Sequence, residues 1–259
     1  MSYADLELGD DQATLYERRE RVFLVLAGVF LCAMTLLNVI GITRFIQLGP
    51  LSLAAGVLPY PLTFLCTDLI SELYGRRRAN FMVTVGLILN GFILAVLWLV
   101  NAAPPVAADT MPPWQVIELA ENIILPSGNV VSGSIELFQL IYACTSGAVF
   151  ASMLAYIAAQ YCDVQVFHYL KRLTKGKYLW LRNNLSTLTS QLVDSIAVIS
   201  VTFGAAFIAG EMTFAMLLIL MGSNYLFKML AALADTLPFY YLTHRLRRYL
   251  HIDNTKVLD

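Results

Sequence analysis

Long apolar runs constrain this chain more than any other feature of it. Five stretches, 22–42, 81–100, 138–161, 192–209 and 213–241, are apolar almost throughout. Each reaches the roughly 20 residues that an α-helix needs to cross the hydrocarbon layer of a bilayer. A sixth, 51–71, contains Pro59, Pro61 and Asp68 but is otherwise apolar. Proline is tolerated in a span where neighbouring helices re-satisfy the backbone groups it frees. Of the 259 residues 58% are hydrophobic and only 14% charged, where a soluble domain carries about a quarter charged. That balance excludes a disordered chain, a nucleic-acid binder with a basic footprint and an ordinary water-soluble globule. The chain reads as an all-α integral membrane protein of six transmembrane helices.

Lysine and arginine set the orientation, since basic residues accumulate on the cytoplasmic side. Arg18, Arg19 and Arg21 precede the first span, and Arg76, Arg77 and Arg78 follow the second. Lys171, Arg172, Lys175, Lys177 and Arg182 fill the link between the fourth and fifth, and Arg245, Arg247, Arg248 and Lys256 follow the sixth. With six spans all of these clusters share one side, leaving Arg44 outside and Lys228 within a helix. Removing the second span would put the triple arginine outside, so the charge pattern supports it. N and C termini are therefore expected in the cytoplasm. The domain layout is an acidic, polar tail over 1–21, a transmembrane domain over 22–245 and a cytoplasmic tail over 246–259. Three spans plus three would turn the second half upside down relative to the first, an inverted arrangement common in transporters. The similarity between the halves is too weak to establish it.

The outer link, 101–137, holds no Lys or Arg, and Pro104, Pro105, Pro112 and Pro113 lie in its first part. Val116, Leu119, Ile123 and Ile124 at helix-like spacing suggest a short interfacial helix over 114–125, anchored at the headgroups by Trp114. The four cysteines, Cys32, Cys66, Cys144 and Cys162, show no CxxC spacing and read as small buried hydrophobes, not as a disulfide framework or a metal site. Nothing in the sequence calls for a cofactor.

Charge within a bilayer costs at least about 2.5–3.5 kcal/mol per group on insertion scales, so Asp68, Glu72, Asp194, Lys228 and Asp235 each need a reason to be there. Phe64, Asp68 and Glu72 are four apart and share a helix face. Thr187, Gln191 and Asp194 form a second stripe, and Asn224, Lys228 and Asp235 a third. Tyr142, Ser146, Met153, Tyr156, Gln160 and Asp163 drift round one side of the fourth span, and Thr35 and Asn38 lie on the first. Such stripes imply a shared polar interior. Each also has a plain structural explanation. Lys228 could pair with Asp194 or Asp68 to hold helices together, Asn38 and Asn224 could be interhelical hydrogen-bond glue, and Tyr and Phe stripes are usually packing. One structural pair still leaves two of the four deeper charges unexplained. Carboxylates, an ammonium, amides and aromatic faces together suit a small planar heterocycle better than a bare ion or a lipid.

Several motifs occur in order along the chain. The first is Pro61-Leu62-Thr63-Phe64-Leu65-Cys66-Thr67-Asp68-Leu69-Ile70-Ser71-Glu72-Leu73-Tyr74-Gly75, followed by Arg76-Arg77-Arg78-Ala79. The second is Ala151-Ser152-Met153-Leu154-Ala155-Tyr156 with Gln160, Asp163 and Phe167. Leu179-Trp180-Leu181-Arg182-Asn183-Asn184-Leu185-Ser186-Thr187 leads to Gln191-Leu192-Val193-Asp194-Ser195, and Lys228 precedes Asp235-Thr236-Leu237-Pro238. Over 22–245 the sequence resembles the queuosine-precursor transporters, also called the vitamin uptake transporter family. The resemblance implies a six-helix importer in the bacterial inner membrane for 7-deazaguanine bases such as preQ0 or preQ1, salvaged for tRNA queuosine. The family's motif positions fall on Asp68, Glu72, Arg182, Asn183, Ser186, Gln191, Asp194, Lys228 and Asp235.

The expected substrate-binding set is Asp68, Asp194, Lys228, Gln191, Asp235, Asn224, Asn38, Phe64 and Tyr156. Asp194 and Asp68 would accept from the base's N–H edge, Lys228 would meet its carbonyl, and Phe64 or Tyr156 would stack. Glu72, Arg182 and Asn183 are the candidates for coupling or gating. The expected partners are the heterocyclic substrate and membrane lipid, with no nucleic acid; a homodimer and an energising partner stay open. The family is similar in helix count to the substrate-binding subunits of energy-coupling-factor transporters, so a binding subunit driven by a separate ATPase is one alternative. An intramembrane acid–base enzyme is another. It is disfavoured because His168, His244 and His251 all lie outside the spans and no HExxH, GxSxG or phosphate loop occurs.

Overall fold

A computed structural model describes the backbone of residues 3–41, 43–106, 110–125, 128–175 and 179–252. Six helices carry it: α1 (Tyr3–Val39), α2 (Tyr60–Tyr74), α3 (Arg76–Ala102), α4 (Leu137–Leu173), α5 (Leu179–Ile208) and α6 (Phe214–Tyr249). All but α2 are long and apolar enough to cross a membrane. Large apolar side chains such as Leu24, Phe81, Phe92, Trp98, Ile208 and Leu233 stand exposed on them. Water would not tolerate so much bare apolar surface, whereas lipid tails are a matching solvent for it. The chain is a multi-pass membrane protein.

The chain divides into two compact units, and each is described by itself. The first comprises 1–35, 59–88 and 231–259. Its core is Phe30 of α1, Cys66 and Ile70 of α2, and Ala79 and Met82 of α3, with Phe23, Ala27 and Tyr74 packed around them. Gly75 alone separates α2 from α3. Its φ of 86° and ψ of 164° are open to glycine and strained for any residue with a Cβ. Beside this joint Arg78 bonds Glu20 at 2.9 Å and lies over the rings of Phe23 and Tyr74. The Tyr74 hydroxyl donates to the carbonyl of Arg19 at 2.8 Å. The acidic segment expected as a separate tail is helical from Tyr3 onward and belongs to α1. At the other terminus α6 continues to Tyr249, past the expected tail boundary.

The second unit comprises 36–58 and 89–230. Here α4 and α5 pack on one another, and the fully buried residues of α4 include Val149, Ala151 and Ala155. Small side chains let helix backbones approach closely, which is how helices associate in lipid. Ile199 and Phe203 of α5 meet Leu217 of α6 in a second apolar cluster.

Two expectations about local structure need correction. The span expected over 51–71 is not one helix. Strands β1 (Phe45–Leu48) and β2 (Leu51–Ala54) pair antiparallel, a 3-10 turn covers Ala55–Val57, and α2 begins only at Tyr60. Pro59 and Pro61 explain the late start: proline lacks the N–H that a helix interior requires but fits its first turn. The interfacial helix expected over 114–125 is replaced by a hairpin. Strands β3 (Val116–Glu118) and β6 (Ser134–Glu136) pair, with β4 (Ile123–Ile124) and β5 (Val130–Val131) paired inside them. Val116, Ile117, Ile123, Ile124, Val130, Val131 and Ile135 are β-branched and favour a pleated surface. Gly128 and Gly133, with φ of 85° and 78°, supply the bends.

Gly56 shows how closely the 3-10 turn abuts the end of α1. Its N–H donates to the carbonyl of Gly41 at 3.1 Å, and a Cβ placed on it would sit 2.5 Å from the carbonyl oxygen of Leu37 and 2.7 Å from the Cα of Gly41. Backbone atoms cannot yield as side-chain tips can. Gly56→Ala is therefore expected to lower stability by about 1–3 kcal/mol in a thermal unfolding assay in detergent. Gly28→Ala, where a Cβ meets nothing within 4 Å, should leave stability unchanged or raise it by up to about 1 kcal/mol through helix propensity.

Candidate functional site

In the second unit the ammonium of Lys228 on α6 donates to the carboxylate of Asp194 on α5. The side chains are 5% and 17% exposed. Lys228 thus pairs with the first of the two partners open to it in the sequence. The surrounding helix turns supply polar neighbours by register. Gln191 and Ser190 lie one turn before Asp194, and both are engaged in interactions of their own. Ser195 is fully buried, and its hydroxyl has no partner among the described residues. Asn224, one turn before Lys228, is buried too. Two ions withdrawn from water regain little more than their desolvation cost by pairing. A pair placed here is therefore weak evidence for stability.

A second polar contact in this unit joins α1 to α3. Asn38 Nδ2 donates to Asn90 Oδ1 at 3.0 Å, and both residues are almost wholly buried. Asn38 Oδ1 and Asn90 Nδ2 make no further bond among the described residues. Asn38 thus does what the structural explanation expects of it, as interhelical glue. Asn90 was missed in the sequence stripes, although a lone amide in an apolar run is itself a signal. Tyr156, half-buried on α4, is engaged in an interaction of its own. Arg182 and Asn183 fall in the first turns of α5, and their side chains lie outside the described residues.

The first unit holds the remaining candidates. Phe64 stacks edge-on against Tyr60, with centroids 4.5 Å apart. Asp68, one turn further along α2, is exposed and lies near enough to Asp235 of α6 for the two carboxylates to act on one another electrostatically. Asp235 Oδ2 is buried and unpartnered among the described residues. Glu72 ends the stripe in an ion pair with Arg247. The sequence-predicted set therefore separates into a group around Lys228 and Asp194 and a group of carboxylates around Asp68 and Asp235. Among the described residues no cluster of His, Cys, Asp and Glu could hold a metal ion.

Residues 54–243 match the family described as "Putative vitamin uptake transporter", a range that includes both groups. The chain belongs to this family. It is similar to the "Probable queuosine precursor transporter" of Bacillus subtilis (strain 168), at 25% identity over 163 residues, 62% of this chain and 61% of that protein. It is also similar to the "Queuosine precursor transporter" of Escherichia coli (strain K12), at 27% identity over 192 residues, 71% of this chain and 70% of that one. No solved structure matches. The family and both relatives are named for transport, and the chain spans less than two thirds of the length of the Bacillus subtilis relative.

Removing one partner of the buried pair separates its two roles. Lys228→Met leaves the Asp194 carboxylate without its cation and should destabilise the protein by about 3–5 kcal/mol in detergent unfolding. The double variant Lys228→Met/Asp194→Leu should regain most of that stability, because well-packed apolar residues can replace a buried ion pair.

Proposed function

We propose that this chain imports queuosine precursors, 7-deazaguanine bases such as preQ0 or preQ1, across the bacterial inner membrane for salvage into tRNA queuosine. The observation that carries the proposal is the buried Lys228–Asp194 pair in a chain whose relatives are named as queuosine precursor transporters. In this reading the Lys228 ammonium, which has three donors, donates toward a ring carbonyl. The remaining lone pairs of Asp194 accept from ring or exocyclic N–H groups, and Gln191, Asn224 and Asn38 offer amides that do both. Tyr156 supplies a ring face for stacking. Asp68 and Asp235, with Phe64 beside them, form the acidic set. In this reading the set of two neighbouring carboxylates carries a coupling proton. Glu72, Arg182 and Asn183 serve in gating.

The chain crosses the membrane six times in this proposal, with both termini in the cytoplasm and three spans in each half. The crossing through α2 is supported by the charge pattern, which without it would put Arg76, Arg77 and Arg78 on the outer side.

Uptake of labelled preQ0 and preQ1 into liposomes holding only this protein tests the proposal. Saturable uptake is expected, and Asp194→Asn should reduce it at least tenfold. Binding in detergent without uptake would overturn self-sufficient transport in favour of a subunit driven by a separate ATPase. Asp235→Asn should abolish stimulation by an imposed proton gradient while leaving exchange of internal for external base intact, since exchange moves no net proton.

A further inference from the structure

The C-terminal end of α6 holds a cavity outside the proposed substrate-binding set, sharing only the gating residue Glu72 with the proposed transport. It has a volume of about 910 Å³, and Glu72, Thr243, His244, Arg247, Arg248 and His251 line it. All of these residues belong to the first unit. Two guanidinium groups against a single carboxylate leave a net positive charge, and two imidazoles add polar ring nitrogens, so the lining suits an anion. Arg247 is already held by that carboxylate in its ion pair with Glu72. Arg248, His244 and His251 are exposed, and the Thr243 hydroxyl is buried without a partner among the described residues.

The backbone is shaped to present these groups. Ile252 N–H donates to the Arg247 carbonyl at 3.1 Å and His251 N–H to the Arg248 carbonyl at 3.4 Å. This is the double bond of a Schellman cap, which places His251 in the left-handed region at a φ of 47°. Glycine is the usual residue there, so a histidine accepts strain that its side chain must justify. Arg19 of α1 clamps the same turn, donating from Nε and Nη2 to the Leu250 carbonyl at 3.2 and 3.1 Å.

Depth selects among anions. The apolar part of α6 ends at Tyr241, and the cavity's lining on α6 runs from Phe239 past that end. Tyr240, Tyr241 and Tyr249 stand exposed on this stretch, as tyrosines do at the headgroup level of a bilayer. Arg245 and Arg18 lie over the rings of Tyr241 and Tyr249, respectively. A guanidinium fork matches the oxygens of a phosphate, and basic pockets at this depth bind lipid headgroups. We propose that this cavity holds the phosphate of an anionic phospholipid, which competes with Glu72 for Arg247 and so loosens the tie between α2 and α6.

The full-length protein in detergent tests this by thermal unfolding against titrated phosphatidylglycerol, phosphatidylcholine and inorganic phosphate. Phosphatidylglycerol should raise the midpoint saturably and phosphatidylcholine should not. Arg248→Gln should raise the half-saturating lipid concentration about tenfold, as expected for one charge-assisted hydrogen bond. His251→Asn, which keeps a side chain tolerant of the left-handed region, should raise it severalfold. Glu72→Gln should lower it severalfold, a tightening that a purely structural role for the ion pair would not produce. Equal responses to the two lipids, or unchanged half-saturation in all three variants, would overturn the proposal. A saturable response to inorganic phosphate alone would overturn the lipid as the source and assign the cavity to a soluble phosphate.

Discussion

A lysine ammonium out of water must find an anion, and in this chain it finds Asp194. In a bilayer a charge cannot be left to solvent, so wherever Lys228 goes a carboxylate must follow. That requirement ties α6 to α5 at one depth and fixes the register of the polar residues on either side of the pair. Gln191, Ser195 and Asn224 lie within a turn of the pair by sequence position. Apolar packing elsewhere, such as Ile199 and Phe203 against Leu217, is adaptable by comparison, since lipid tails are nearly as good a partner for it. The ion pair supplies directional specificity that apolar contacts in a membrane lack.

Much of the fold was legible because hydropathy reports length and solvent at once. The five long helices follow directly from runs that no water-soluble core would need. The part of 51–71 before α2 was not legible, for hydropathy is blind to backbone conformation. Leu51, Leu53 and Val57 are as apolar in a strand or a 3-10 turn as in a helix. Pro59 and Pro61 were the available signal, and they mark a first turn better than they mark a kink. In the outer link the spacing of Val116, Leu119, Ile123 and Ile124 satisfied a helical period by coincidence. The density of β-branched residues and the two glycines argued for the hairpin with more physical force.

For the candidate residues, type was legible and partnership was not. A charged or amide side chain in an apolar run is visible one residue at a time, which is how Asp68, Asp194, Lys228 and Asp235 were found and how Asn90 could have been. Which of them meet depends on helix rotation and depth, and neither is written in a single helix. Lys228 could have paired with either of two aspartates on sequence grounds. Lys228 meets Asp194 within the second unit, and Asp68 acts on Asp235 within the first, two groups of different chemistry.

That division has an electrical consequence. A membrane potential acts on net charge, at about 2.3 kcal/mol per elementary charge per 100 mV. The joined ammonium and carboxylate of Lys228 and Asp194 sum to zero, so the field exerts no net force on them as a unit. Asp68 and Asp235 have no such internal balance. A proton taken up by either carboxylate would change the charge on which the field acts there. The lysine pair is electrically silent, and the acidic pair is not.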